Sequence, residues 1–228
     1  EASEFSPNDA ANKDALIKRA YADLIGLPPN YEELTHWRSL STEDWYERLI
    51  DDLLQKPAYG EKLALIWMDL ARYADSYGFQ DDNIRSQWPW RDWVIHAFND
   101  NLPYDQFLIN QIAGDLLPNA TKETILATAF FRNHKFTEEG GVIDEEYRVS
   151  YNIDKTRTYG KAFLGVTIEC AQCHDHKYDP FSNREYYQLY AFFNESKEKG
   201  YEGDVSVSTP AKNPKLLISA QERNKLLS

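Results

Sequence analysis

Methionine occurs once in this 228-residue sequence, cysteine twice and glycine ten times, and each shortage narrows what the chain can be. Two cysteines are too few for a disulfide framework. So little glycine, beside 15 Tyr, 11 Phe and 6 Trp, speaks against disorder and for a packed globular protein. No apolar run approaches the roughly 20 residues needed to span a bilayer, so no membrane span is expected. Long Lys/Arg runs are missing too, and the net charge is −12. Such a surface repels phosphate backbones and anionic lipid, so neither nucleic acid nor a membrane surface is an expected partner. Glu1-Ala2-Ser3-Glu4 has neither the basic start nor the apolar stretch of a signal peptide, and the sequence reads as mature or excised material. Its end at Ser228 falls within weak helical spacing and reads as continuing into further chain.

What is present is concentrated in Glu169-Cys170-Ala171-Gln172-Cys173-His174-Asp175-His176-Lys177-Tyr178-Asp179-Pro180, which holds both cysteines and two of the five histidines. Cys-x-x-Cys-His is the spacing by which c-type haem is attached. Two sulfurs and one imidazole reach one edge and one face of the macrocycle, with Cys170 and Cys173 as thioethers and His174 as the proximal iron ligand. His176 cannot cross to the opposite face, because its Cα lies within about 7 Å of that of His174 at the chain's reach of roughly 3.5 Å per residue. It is expected as a hydrogen-bonding partner or as a ligand to something else. His134, in the polar loop 133–141, is the first candidate for the distal position; Met68, His96 or no protein group are the others. The same segment also reads as a local disulfide, a free dithiol or part of a zinc or iron site. With Asp75, Asp81, Asp82, Glu138, Glu139, Asp144 and Asp154 it could build a carboxylate-rich site suited to calcium, or to acid/base chemistry on a sugar. Arg72, Arg91, Arg148 and Arg157 read either as propionate partners or as internal ion-pair residues.

The remainder predicts a mainly α fold, neither β nor α/β: a single multi-helix domain of about nine helices with long functional loops, covering residues 9–195. A polar tail or linker over 196–228 is expected to lead towards a further domain. Helical spacing covers Asp9 to about Ile25, Tyr31 to about Leu40 and Ser41 to about Gln55, the last opened by a Ser41/Asp44 capping box. Beyond Pro57 comes a strongly apolar helix with Leu63, Ile66, Trp67 and Leu70 expected on one face. Helices follow after Pro89, after Pro103, from Thr121 to about Arg132, and from Asp144 to about Gly165; Ser182-x-x-Glu185 caps a last one to about Asn194. The 73–88 stretch reads as a long loop, 196 onward as loose, and Val205-Ser206-Val207 as a possible isolated strand.

Several blocks in this order resemble one family. They are Trp67-Met68-Asp69-Leu70-Ala71-Arg72-Tyr73-Ala74-Asp75, Trp90-Arg91-Asp92-Trp93-Val94-Ile95, Leu102-Pro103-Tyr104-Asp105-Gln106-Phe107, Gln111-Ile112-Ala113-Gly114-Asp115-Leu116-Leu117-Pro118, Glu138-Glu139-Gly140-Gly141 and the Cys170–Pro180 stretch. The chain is similar over about residues 12–195 to the planctomycete-type cytochrome-c-like domain, domain-of-unknown-function family 1549. The resemblance implies a module of a larger secreted, cell-surface or periplasmic bacterial protein, beside other domains, in organisms that degrade polysaccharides. Three functions stay open. One is a covalent haem c domain passing electrons to another domain or a redox partner. The second is a non-haem metal-binding (Zn, Fe or Ca) or disulfide-containing module of a polysaccharide-acting assembly. The third is a structural or docking domain. Whether the chain is an enzyme is left open.

Overall fold

The computed structural model describes residues 8–196, 198–204, 207–210 and 213–222. They are mainly helical, as the periodicity predicts, and divide into two compact units. Residues up to Leu65 together with Ile95–Asn101 form the first, and Ile66–Val94 with Leu102 onward the second.

The first unit is built on α1 (Lys13–Leu24), α2 (Tyr31–Ser39) and α3 (Trp45–Leu54). Local side chains satisfy the orphan amides at two of the helix starts. The Asn12 carboxamide accepts from Ala15 N at 2.9 Å, and Asn30 forms a reciprocal capping box with Glu33. The Ser41/Asp44 box does not form: Asp44 is the N-cap residue of α3, with no side-chain cap bond. The pattern was right in spacing, but the helix starts one turn too late for Ser41 to reach its amides. Ile17, Ala20, Tyr21, Trp37, Leu49 and Leu53 make the core of this unit, each Leu burial being worth about 1.5–3 kcal/mol.

Two helices contribute residues to both units, α4 (Pro57–Ala71) and α5 (Trp88–Asn99). In α4 the buried stripe is Gly60, Ala64, Trp67 and Ala71, whereas Ile66 and Leu70 are 57% and 41% exposed and Leu63 is half-buried. The expected face was therefore wrong except at Trp67. Apolar residues occur all round this helix, so periodicity alone could not choose among its faces.

The second unit continues with α6 (Tyr104–Ala113), α7 (Lys122–Ala127), a 3-10 turn (Thr128–Arg132), α8 (Asp144–Tyr159) and α9 (Asn183–Asn194). Its centre is aromatic: Trp67 meets Phe107 and Phe163 edge-on, and Trp93 stacks on Phe107 at 5.5 Å. Trp67 Nε1 donates to the buried Gln111 Oε1 at 2.8 Å. The tail differs from the expected loose segment. β1 (Glu202–Asp204) pairs antiparallel with β2 (Val207–Thr209), and Glu198 is only 5% exposed. Val205 and Ser206 of the expected strand lie outside the described residues.

Candidate functional site

Three backbone devices bring the chain from α8 to the cysteines. After Tyr159 the helix widens into a π-turn over Gly160–Leu164 and stops at Gly165, whose φ of 66° is the left-handed conformation that only glycine adopts without penalty. Val166 N then donates back to Gly160 O at 3.0 Å. Gly160 is needed for closeness, since a Cβ there would stand 2.5 Å from Ile168 Cγ2. A 3-10 helix follows over Ile168–Gln172, with Cys173 as its C-terminal cap residue.

That helix decides where the thiols go. Side chains three apart eclipse on a 3-10 helix. Ile168 and Ala171 occupy one row, buried against Tyr186 of α9. Cys170 in the helix and Cys173 at its cap are also three apart, a spacing that by the same rule carries both thiols towards one side, and both are exposed and free. His174 follows, exposed, with Nδ1 2.8 Å from Asp175 O. A carbonyl can only accept, so Nδ1 carries the proton and Nε2 the lone pair.

The loop after His174 is braced rather than loose. Asn183 Nδ2 donates to Ala171 O at 2.8 Å and Gln172 O at 2.9 Å, while Asn183 N donates to Asp175 Oδ1 at 2.8 Å. Tyr187 Oη adds a bond to Gln172 O, and Arg157 Nη2 one to Gln172 Oε1. His176 closes the loop: its N–H donates to Phe181 O at 2.7 Å, and its Nδ1 accepts from Asp179 N at 2.9 Å and Tyr178 N at 3.3 Å. The Ser182–Glu185 capping box opens α9 immediately afterwards, as its sequence signature predicts.

His134 stands in other company. It is 2% exposed and stacks at 4.2 Å on Phe136 and at 4.5 Å on Tyr151. Nδ1 lies 2.8 Å from Lys135 O and Nε2 3.2 Å from Glu198 Oε1, so both nitrogens face oxygen atoms. Glu198 also accepts from Arg132 and from the buried Lys155. Burial, the largest influence on His134, pushes it below the usual histidine range against the pull of Glu198. The 133–141 loop pairs with the 77–83 loop through Phe136 N to Tyr77 O, Asn83 N to Glu138 and Gln80 N to Glu139. The structure thus leaves Cys170, Cys173 and His174 exposed on one short segment, with His176 bracing the loop that follows, and sets His134 in a buried charged cluster.

The four expected arginines all have partners within the protein: Arg72 with Asp154, Arg91 with Asp92, Arg148 with Glu145, and Arg157 with Gln172. His36 and His96 are exposed and Met68 is half-buried. Among the described residues no three His, Cys, Asp or Glu side chains converge as a metal cage would require. Sequence reasoning missed Asn183, Tyr187 and the Arg132–Lys155–Glu198 cluster. Asn183 directly follows the recognised cap Ser182, but its partners lie eleven and twelve residues upstream, and nothing local announces them. No described helix is long and apolar enough to cross a membrane.

A protein-family model described as PSCyt2, protein of unknown function (DUF1549), matches residues 1–198. No curated protein matches the chain, and neither does any solved structure.

Proposed function

The chain belongs to the PSCyt2 family of proteins of unknown function (DUF1549), and we propose that this member holds a covalent haem c at Cys170, Cys173 and His174 for electron transfer within a larger extracytoplasmic protein. The observation that carries this reading is the shared, exposed row of the two free thiols, with an imidazole directly after it whose Nδ1 is already occupied. The donor set fits the group. Both thiols are exposed and three residues apart at a 3-10 turn, and with Nδ1 held by Asp175 O the nitrogen left to ligate is Nε2. Cys170 and Cys173 would hold the group as thioethers, each S–H being added across one vinyl double bond with nothing leaving, and His174 would ligate its iron. When bound, the haem supplies a one-electron couple.

The protein's own residues set the orientation. The Asp175 carbonyl fixes the His174 tautomer and ring direction, as a hydrogen bond on the far nitrogen does for metal-bound imidazoles generally. Asn183 holds both carbonyls preceding Cys173 and so prevents the thiol row from turning. His176, its Nδ1 used in closing the loop, acts as a brace. An extracytoplasmic location follows from the chemistry, since haem attachment to Cys-x-x-Cys-His takes place there.

The same two exposed thiols favour one rival reading, a free dithiol or local disulfide without haem. Expression with export and a c-type maturation system separates the two. The expected result is a Soret band, sharp α and β bands on reduction, and a one-haem mass increment that survives denaturation. Cys170→Ala and Cys173→Ala should each weaken covalent retention, and the double variant should abolish it. An exported, folded protein with no Soret band and an unshifted mass overturns the haem reading.

A further inference from the structure

A cavity of about 470 Å³ lies in the second unit, apart from the cysteine row. That volume is within the roughly 300–1,000 Å³ range of small-molecule sites. Tyr77, Trp90 and Phe136 give it aromatic walls, and the 214–218 segment closes another side. The segment is held by Lys122, whose Nζ donates to Leu217 O at 3.4 Å and pairs with Glu222 at 2.5 Å.

The charge of the lining sets this cavity apart. The chain has 37 acidic and 25 basic residues, yet the wall contains Arg85, Arg132 and Lys215 and no Asp or Glu among its described residues. Arg132 is compensated by Glu198 behind the wall. Arg85 is not. It is 7% exposed, and its bonds run to backbone carbonyls: Nε to Ala74 O at 3.0 Å, Nη1 to His134 O at 2.9 Å and Arg132 O at 3.4 Å, and Nη2 to Asn133 O at 3.1 Å. Carbonyls orient a guanidinium without cancelling its charge. Burial, the largest influence, pushes it down to about 10, and two further cations, Arg132 and Arg72, act in the same direction against a pull from Tyr77 and Tyr73. Four of its five N–H groups are used, which leaves one Nη2 N–H for something else. A buried cation without a counter-ion is unfavourable, and an anion entering the cavity would supply the missing partner.

We propose that this cavity binds a small organic monocarboxylate with a flat apolar body, the carboxylate facing Arg85 and Lys215 and the body lying against Tyr77, Trp90 and Phe136. Arg85 supplies the fixed positive field and one N–H, and Lys215 supplies a mobile charge at the rim. The aromatic walls select for the body, so inorganic anions of the same charge are poor ligands. The site is independent of haem attachment.

Calorimetric titration with benzoate, benzamide and inorganic phosphate tests this on the full chain. Benzoate is expected to bind, with benzamide and phosphate each at least about tenfold weaker, a factor that one satisfied charge interaction readily supplies. Lys215→Glu should weaken benzoate about three- to tenfold by reversing a rim charge. Ser86→Trp, at an exposed position of the lining, should abolish binding by filling the mouth. Arg85→Gln should also abolish it. Because Arg85 braces three consecutive carbonyls and its variant could unfold, Lys215→Glu and Ser86→Trp are read together with circular dichroism that shows the fold intact. Equal affinity for benzoate and benzamide overturns the proposal. So does phosphate binding as tightly as benzoate, benzoate binding unchanged in both folded variants, or no binding up to about 10 mM benzoate, where even a millimolar dissociation constant would register.

Discussion

Replacing Glu198 by Gln keeps its volume and removes the charge that Arg132, Lys155 and His134 share. Glu198 is 5% exposed and accepts from Arg132, Lys155 and His134, with Lys155 itself 4% exposed. Removing one partner of a buried pair leaves the other charge desolvated and uncompensated, which costs about 3–5 kcal/mol. For a unit of this size each kcal/mol moves the melting midpoint by about 2–4 °C, so E198Q should melt about 6–20 °C lower. Scanning calorimetry with near-ultraviolet dichroism, which follows the aromatic core, reads this directly. Glu145→Gln is the control: its carboxylate is 66% exposed beside Arg148, and it should cost under about 1 kcal/mol. The pH dependence has a definite sign. Burial alone would raise the Glu198 carboxyl, but His134, Lys155 and Arg132 reverse this and hold it well below the usual carboxylate range. A carboxyl depressed on folding contributes stability above its unfolded value, near about 4.3, and loses it as pH falls below that value. The parent should therefore lose stability steeply in that acid window, and E198Q should show a shallower slope. Adding Lys155→Met to E198Q removes the more deeply buried of the two stranded cations and should recover part of the loss. A midpoint within about 2 °C of the parent, or strictly additive single and double variants, would refute the idea of a desolvated, mutually dependent cluster.

Two further outcomes concern the cysteine segment. Asn183→Ala removes two donors from carbonyls behind the thiol row, and should destabilise by about 1–2 kcal/mol while amide exchange quickens over residues 170–176. Gly160→Ala drives a methyl into Ile168 Cγ2, 2.5 Å from the Cβ position, and should cost about 1–3 kcal/mol while raising the alkylation rate of Cys170. Unchanged exchange in the first case, or unchanged alkylation in the second, would mean that the row is held by something other than these contacts.

What could be read from the sequence was what is local. The Thr121 and Ser182–Glu185 caps stand where their signatures place them, because each is a bond spanning three residues. The run from Asp144 to Gly165 was recognised as one helical stretch, although its last turn widens into a π-turn. The α4 face was misread because an all-round apolar helix has no preferred side until its neighbours are known, and here the small residues Gly60, Ala64 and Ala71 turn inward. By sequence Glu198 reads as part of a polar tail, because its partners at 132, 134 and 155 lie far upstream. Arg85 went unremarked for a similar reason: three of its carbonyl partners lie about fifty residues downstream. The cysteine segment could be recognised as a unit, but the shared facing of its thiols rests on a 3-10 geometry that spacing alone does not specify.

That geometry also fixes how the segment tolerates length. On a helix of three residues per turn, one inserted residue rotates everything beyond it by about 120°. A Cys-x-x-x-Cys version of this loop would keep Ile168 and Ala171 docked and turn the second sulfur a third of a revolution away from the first. Deleting one residue would turn it the opposite way. With the inner row pinned against α9, the chain has no slack with which to correct either error, so the two-residue gap is a register imposed by packing as much as by any ligand.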